Sequence, residues 1–381
     1  MSDPSSAAHP GFRPSYWEST TFLRPVDYLV VGAGLTGLQA ALRLKEVHPG
    51  REVLLVERGP VPRGASTRNA GFACFGAPTE LLADLDAYGP EAMLATVRAR
   101  YEGIRELRRR CTGRDVDWAD HGGFEIIDEA LVAQRVAERL PELNRMLASV
   151  TGNAQTWTQT DNTNGHYTLR NALEAQLHPG KLVADLLERC RRAGVRTLFG
   201  ANVEAVEGRG VEVAELGKLE AGAVLLTVNA FARALLPAQF GSRIRPVRNQ
   251  VLLSRKIPDL ILRGCYHYHE GYVYFRNVGP DRLLIGGGRH LAGERSETDR
   301  FGPHEELTEQ LVALLNRWLP EYGLSAADFP ERWSGIIAQG DGKTPILEFA
   351  PNGVLVAGRL AGMGVALSAD LALRAAELLA K

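Results

Sequence analysis

The chain has 381 residues, 45% hydrophobic and 23% charged, with 44 Lys and Arg against 45 Asp and Glu, an ordinary globular composition with room for two domains. A net charge of −1 gives no electrostatic reason to expect a nucleic-acid partner. No apolar run approaches the roughly 20 residues of a spanning helix, and the opening residues lack the apolar core of a secretion signal, so a cytoplasmic protein without a transmembrane segment is expected.

Residues 1–24, rich in Pro, Ser and Thr, read as an extended arm whose second half, with Tyr16 and Trp17, packs on the body. The first regular element, residues 27–34, carries Val26, Tyr28, Leu29, Val30 and Val31, the near-continuous apolar run of a strand buried on both faces. Helical spacing of Leu35, Leu38, Ala41, Leu42 and Val47 and a second buried strand at 52–57 complete a βαβ unit. Charged helices are predicted at 91–110 and 130–150, with a short strand at 121–128 between them. A helix at 180–193 then leads into strands at 195–199, 202–206 and 211–214 and an apolar run ending at Val228.

Segments 247–254, 266–269, 272–277 and 282–286 alternate and are separated by Pro, Gly and Asp turns, which predicts an antiparallel sheet. A helix near 305–318, strands around 332–337 and 354–357, and a helix at 365–379 close the chain. The fold class is α/β with two interleaved domains. Residues 25–80, 170–240 and 330–381 form a Rossmann-type dinucleotide-binding domain, and 81–169 and 241–329 a second domain built on the antiparallel sheet.

Gly32, Gly34 and Gly37 form GxGxxG directly after a buried strand and at a helix start, with Glu57 twenty residues beyond the last glycine. The first glycine permits a tight turn, the second admits a pyrophosphate to the backbone, and the third lets helix and strand pack closely. Glu57 would bind the adenosine ribose, and its charge argues against a 2′-phosphate. FAD and NAD share this fingerprint, so other features decide. GASTRNAGF (64–72) combines small residues with Ser66, Arg68 and Asn69, and GRLAGMG (358–364) brings a second helix N-terminus toward the cofactor. A helix N-terminus suits the negative charge that a reduced flavin gains, and nicotinamide gains none, so FAD is favoured. The four cysteines, Cys74, Cys111, Cys190 and Cys265, show no CxxC spacing, and no metal is expected.

At these residues the sequence resembles the D-amino-acid oxidase and glycine oxidase (DAO) superfamily of FAD-dependent enzymes. Within it the look is of the amine-oxidising branch that includes gamma-glutamylputrescine oxidoreductase. The similarity runs in order through VVGAGLTGLQAALRL, LLVERG, GASTRNAGF, HPGKLVADLLERCRRAGV, VLLTVNAFARALLP, YVYFRNVGPDRLLIGGG, ERWSGIIAQGDGKTPIL and GVLVAGRLAGMGVALS. It implies that the pyrophosphate lies on Gly32, Gly34, Leu35, Thr36 and Gly37, and the ribose on Glu57 with Arg58 alongside. Ala65, Ser66, Arg68, Asn69, Ala70 and Gly71 would follow the cofactor toward the ring, and Val203 would meet the adenine. Asn229, Arg359, Gly362, Met363, Gly364 and Val365 complete the implied cofactor set. Residues 335–347 contain no cysteine, so the flavin is expected to be noncovalent.

The resemblance implies oxidation of a C–N bond by hydride transfer to flavin N5, with the imine hydrolysed in water. The carboxylate-binding arginine of glycine-oxidase-like relatives would fall at Ile336, Ile337, Ala338 or Gln339, where none stands. Arg276 and Arg359 are candidate replacements. Strand alternation in YHYHEGYVYFR sends Tyr272, Tyr274 and Arg276 to one side, and His267 and His269 opposite to Tyr266 and Tyr268. Tyr272, Tyr274, His267 and His269 are therefore candidates to line a substrate pocket. RLLIGGG (282–288) lacks the lysine that some relatives use with oxygen, which leaves oxygen or a quinone-type carrier as acceptor. The leading reading is an oxidoreductase for a small amine or amino-acid derivative. A D-amino-acid dehydrogenase, a flavin-binding protein without catalysis and an NAD-only dehydrogenase stand beside it, and the oligomeric state is left open.

Overall fold

The computed structural model describes residues 13–381. The first half of the expected arm therefore lies outside the described residues. Its second half is a short helix, Tyr16–Thr21, closed by a capping box between Ser15 and Glu18. Tyr16 and Trp17 do not pack on the body: they are 71% and 74% exposed.

Among the described residues, two eight-stranded sheets and a two-stranded ribbon carry the fold. The first sheet runs Ile346–Phe349, Leu355–Gly358, Gly217–Leu226, Val26–Val31, Val53–Glu57, Arg196–Phe199. From Leu355–Gly358 onward every neighbouring pair is parallel, and the hairpin Val203–Glu207 and Gly210–Val213 extends Gly217–Leu226. Both faces of Val26–Val31 are covered, as its apolar run requires. Tyr28 and Val30 pack with the helices Leu35–Val47 and Gly364–Leu379, while Leu29 and Val31 pack with Val206, Val211 and Ala230.

The second sheet runs Glu331–Gln339, Arg245–Leu253, Arg282–Gly287, Val273–Val278, Cys265–Tyr268, Gly123–Ile127, His166–Asn171, Thr158–Thr163. Its pairs are antiparallel except Cys265–Tyr268 with Gly123–Ile127, which are parallel. The sequence boundaries group Glu331–Gln339 with the dinucleotide-binding segments. Its ladder instead runs along the whole of Arg245–Leu253, from Arg245 opposite Gln339 to Leu253 opposite Glu331. The hairpin Thr158–Thr163 and His166–Asn171 was not legible, because TQTDNT offers no apolar alternation.

Helix Pro78–Cys111 begins more than three turns before its predicted start at residue 91, with proline in its first turn, and is broken where Gly89 takes φ 79° ahead of Pro90. Gly103 on this helix touches Gly364–Leu379 so closely that a Cβ would lie 1.9 Å from the Ala366 carbonyl oxygen. The C-terminal helix thus stands between the parallel sheet and the long helix of the second half, with its N-terminus at the junction.

Candidate functional site

The turn after Val26–Val31 has the geometry that its glycines imply. Gly32 takes φ +103°, and a Cβ on Gly37 would meet the Gly32 carbonyl oxygen at 2.0 Å, so the third glycine serves helix-to-strand packing. Thr227 Oγ1 seals this turn by donating to the Val31 and Gly32 carbonyls at 2.8 and 3.0 Å. Gly34 faces Ser66: a Cβ there would come 2.9 Å from Ser66 Oγ. That hydroxyl accepts the Leu35 N–H at 2.9 Å. Glu57 closes the far side, accepting from the Ala33 N–H at 3.1 Å and the Gly59 N–H at 3.0 Å.

A cavity of about 820 Å³ starts at Gly32, Gly34, Leu35 and Thr36 and runs one way to Glu57, Arg58 and Val203 and the other to Asn229, Gly362, Gly364 and Val365. Arg58 lies over the Phe231 ring, 3.9 Å from its centroid, at the outer end. At the inner end Asn229, itself at φ 49°, holds the turn before the last helix: its Oδ1 accepts from the N–H groups of Arg359 and Leu360 at 3.0 and 3.4 Å. Arg359, Ala361 and Gly362 all take positive φ in that turn. This sharp reversal aims the N-terminus of Gly364–Leu379 at the cavity.

A second cavity of about 430 Å³ adjoins the first. Ala65, Asn69, Ile337, Gly362 and Val365 line both. Arg68, Ala70, Gly71 and Met363 line only the second, and Ser66 only the first. Of the residues predicted to face substrate, Tyr272, Tyr274 and His267 line this second cavity. His267 lies opposite Tyr274 across the ladder, so both share one face, while Tyr266 and Phe275 stack on the other at 4.8 Å.

Three predicted residues are not brought there. Arg276 is on the expected face but is buried, and its guanidinium donates to the carbonyls of Ala70, Leu177 and Asn277, so it fastens two chain segments and is no free clamp. His269 follows the end of its strand at φ 51° and stacks on His290 at 4.8 Å outside both cavities. Arg359 is turned away by its positive φ and donates to the Thr344 carbonyl.

In their place the fold supplies groups that sequence reasoning missed. Glu174, fully buried, accepts the Phe75 N–H and lies 3.1 Å from His267 Nε2. Burial pulls the His267 pKa down, but the Glu174 hydrogen bond and charge outweigh it and the net direction is up. Glu125, also fully buried, accepts from Thr79, and desolvation lifts its pKa to about 7. Lys343 reaches Glu80 at 2.7 Å and Asp84 at 2.8 Å, and Arg100 meets Glu80 at 3.0 Å. Burial opposes ionisation of Glu80, yet Arg100 and Lys343 hold its pKa at about 2. Arg289 lies 4.2 Å over the Tyr272 ring. Cys74 lines the second cavity, and burial pushes its thiol well up, so it is no nucleophile.

A model of the family described as DAO, FAD dependent oxidoreductase, matches residues 27–378. The chain belongs to the DAO family of FAD-dependent oxidoreductases. DAO relatives include a probable oxidoreductase, OrdL, of Rhizobium meliloti (strain 1021), 23% identical over 394 residues and covering 95% of this chain and 87% of its own. Gamma-glutamylputrescine oxidoreductase of Escherichia coli (strain K12) is 24% identical over 332 residues, covering 81% of this chain and 73% of its own. In fold, the L-proline dehydrogenase of P. horikoshii superposes with a TM-score of 0.74 at 14% identity, covering 93% of each chain.

FAD is the cofactor of the DAO family, and the residues present fit it. The Gly32–Gly34 turn leaves open a cradle that a Cβ at Gly34 would fill, a helix N-terminus adjoins it, and an acid stands at the end of the neighbouring strand. Among the described residues no helix is long and apolar enough to cross a membrane, and no cluster of His, Cys, Asp and Glu is arranged to hold a metal ion.

Proposed function

We propose that this enzyme oxidises the C–N bond of a small amine or amino-acid derivative. The observation that carries the reading is the meeting of the two cavities at Ala65, Asn69, Ile337, Gly362 and Val365. A dinucleotide lying along the first cavity from Gly32 would bring its ring end to that meeting point, facing a second, smaller chamber with aromatic walls. When bound, FAD supplies a hydride acceptor at N5; the substrate carbon beside a neutral amine gives up two electrons and a hydrogen, and water converts the resulting imine to a carbonyl compound and a free amine.

The chain's own residues do the rest. Gly32, Gly34, Leu35 and Thr36 receive the pyrophosphate, Glu57 the ribose, and Val203 with Arg58 the adenine end. Ser66, Arg68, Asn69, Ala70 and Gly71 follow the cofactor inward, and the helix N-terminus at Gly362, Met363, Gly364 and Val365 lies at the ring. Tyr272, Tyr274 and His267 wall the chamber, and Tyr274, its hydroxyl pushed up to about 12 by burial, stays protonated. All four cysteines are free, which fits a reducing, cytoplasmic setting. We assign residues 25–80, 170–240 and 330–381 to the FAD side and 81–169 and 241–329 to the substrate side, Glu331–Gln339 being the strand that the first lends to the second's sheet.

The relatives' named activities, on gamma-glutamylputrescine and on L-proline, are both redox reactions and differ in substrate. The test is an anaerobic titration of the purified protein with amines and with D- and L-amino acids, watching the oxidised flavin band, followed by air or a quinone. Bleaching by one class identifies the substrate class. Fast recolouring in air marks an oxidase, and recolouring only with the quinone marks a dehydrogenase. A flavin that no panel member bleaches would speak for a binding protein and against this reading.

A further inference from the structure

Among the described residues His267 is the only histidine that lines the two adjoining cavities, and its two ring nitrogens have different surroundings. Nε2 lies 3.1 Å from Glu174 Oε2, and the other Glu174 oxygen accepts the Phe75 N–H at 3.1 Å. Among the described residues no protein group hydrogen-bonds Nδ1. That nitrogen lies 4.0 Å from where a Cβ on Gly271 would stand, and Gly271 also lines the second cavity. A carboxylate can only accept, so Glu174 holds the ring proton on Nε2 and leaves the Nδ1 lone pair for the chamber.

The pair is built into the sheet. Gly123 makes the room for it: a Cβ there would lie 1.9 Å from Glu174 Oε2. Phe72 packs edge-on against the His267 ring at 5.3 Å and against Tyr274 at 5.6 Å, which fixes the imidazole between the carboxylate and the cavity. Other titratable groups surround it. Glu125 stands opposite His267 on strand Gly123–Ile127 and Tyr274 on strand Val273–Val278. Glu80, on helix Pro78–Cys111, adds its charge to that of Glu125. The thiols of Cys74 and Cys265, which also feel Glu174, are pushed up by burial and stay neutral. Arg100, Arg289 and Lys343 are cations in the wall of the same cavity. Of these groups Glu125, with a pKa of about 7, titrates near neutrality.

We propose that His267 is the base that takes the ammonium proton of the substrate, with Glu174 as its positioning residue. The inference rests on the amine-oxidising reading. An amine in neutral water is mostly an ammonium ion, and its nitrogen then has no lone pair to assist loss of a hydride from the adjoining carbon. In the proposed step the substrate N–H bond breaks with its electron pair left on nitrogen, and the proton bonds to the Nδ1 lone pair. No electron changes hands. The imidazolium that forms is stabilised by the Glu174 carboxylate on its far side, as a buried acid does for a catalytic histidine elsewhere. The neutral amine then supplies the electron pair that assists hydride loss, and the imidazolium returns its proton to water.

Anaerobic stopped-flow reduction of the holoenzyme, by the amine of the panel that bleaches it, is followed from about pH 6 to about pH 10.5. In the wild type the second-order rate of reduction should rise through the His267 pKa and level off. In His267→Asn it should be at least about 100-fold lower near neutral pH and rise only as the amine itself loses its proton, meeting the wild type at about pH 10. A limb near neutrality that survives in His267→Asn belongs to Glu125 and overturns the proposal. A loss equal at every pH marks His267 as a wall residue alone and overturns it too. Should His267→Asn lose its flavin, Glu174→Gln carries the test: its limb should move to lower pH, because the charge that raises the His267 pKa is gone, and an unmoved limb overturns the assignment. Nitrogen-15 histidine NMR of the holoenzyme without any amine should show His267 as the Nε2–H tautomer when neutral, and the opposite tautomer also overturns it. If no amine of the panel bleaches the wild-type flavin, the amine-oxidising reading itself fails and the base role with it; bleaching with an unchanged profile in His267→Asn defeats the base alone.

Discussion

Ser66 Oγ stands 2.9 Å from the Leu35 N–H and directly opposite Gly34, so the loop after the second strand is clasped to the first turn of the dinucleotide helix. Any side chain at Gly34 enters this gap. Gly34→Val should therefore abolish FAD retention while leaving secondary structure intact, because the branched side chain occupies the pyrophosphate's approach and displaces the Ser66 loop. The ratio of flavin to protein after gel filtration measures it. Wild-type occupancy in that variant would remove this turn from the cofactor site.

Arg276 fastens Ala70, which lines the second cavity, to Leu177. Its loss leaves buried carbonyls unsatisfied and frees the loop that Gly71 and Leu177 share. Arg276→Ala is expected to cost about 3 kcal/mol of folding free energy, by urea unfolding, and to weaken flavin retention. Effects on carboxylate-bearing and simple amine substrates should be alike. A KM increase confined to carboxylate substrates, with stability unchanged, would restore Arg276 as a substrate clamp.

The legible parts of this protein are those in which neighbouring residues alone determine the geometry. GxGxxG, the buried strand before it and Glu57 form one local unit, and the period-two pattern of YVYFR correctly sends Tyr274 to the cavity and Phe275 away from it. What the pattern does not reveal is partnership at a distance. Arg276 lies on the predicted face, yet the carbonyls that engage it belong to Ala70 and Leu177, more than 90 residues away along the chain. Lys343 reaches Glu80 and Glu174 reaches His267 across long stretches of chain, and nothing in their local sequence marks these pairs. Arg289 reaches the wall of the second cavity in a different way: two glycines at positive φ redirect the chain just where strand alternation stops being a guide.

The buried acid Glu125 gives a pH signature with a definite sign. Desolvation raises its pKa from 4.5 to about 7 in the folded protein, so the fold favours the protonated form. Its contribution is complete below about pH 4.5 and is lost as pH rises through 7, a change of roughly 3 kcal/mol. Glu125→Gln stays neutral but replaces one acceptor of the Thr79 pair with a donor. The variant should be less stable than wild type at pH 5 and more stable at pH 8, with curves of unfolding free energy that cross. Parallel curves would mean that Glu125 is ionised in the fold at all these pH values.

The long helix Pro78–Cys111 and the C-terminal helix Gly364–Leu379 are in backbone contact. Gly103 on the long helix meets the Ala366 carbonyl on the C-terminal helix, two residues past Gly364, so the long helix bears directly on the turn that lines the larger cavity. A single methyl group there, at 1.9 Å from that oxygen, cannot be absorbed by a side-chain rotation because the obstacle is backbone. Gly103→Ala raises intrinsic helix propensity by about 1 kcal/mol, and an isolated helix would gain from it. Here overpacking should outweigh that gain, for a net loss of about 1–3 kcal/mol, with the helices pushed apart and the flavin bound more weakly. Thermal unfolding with and without added FAD separates these effects: a lower midpoint without FAD reports the packing loss, and a smaller rise on adding FAD reports the disturbed N-terminus. A variant as stable as wild type and equally stabilised by FAD would show that the two helices slide independently and that the long helix does not position the flavin end of the site.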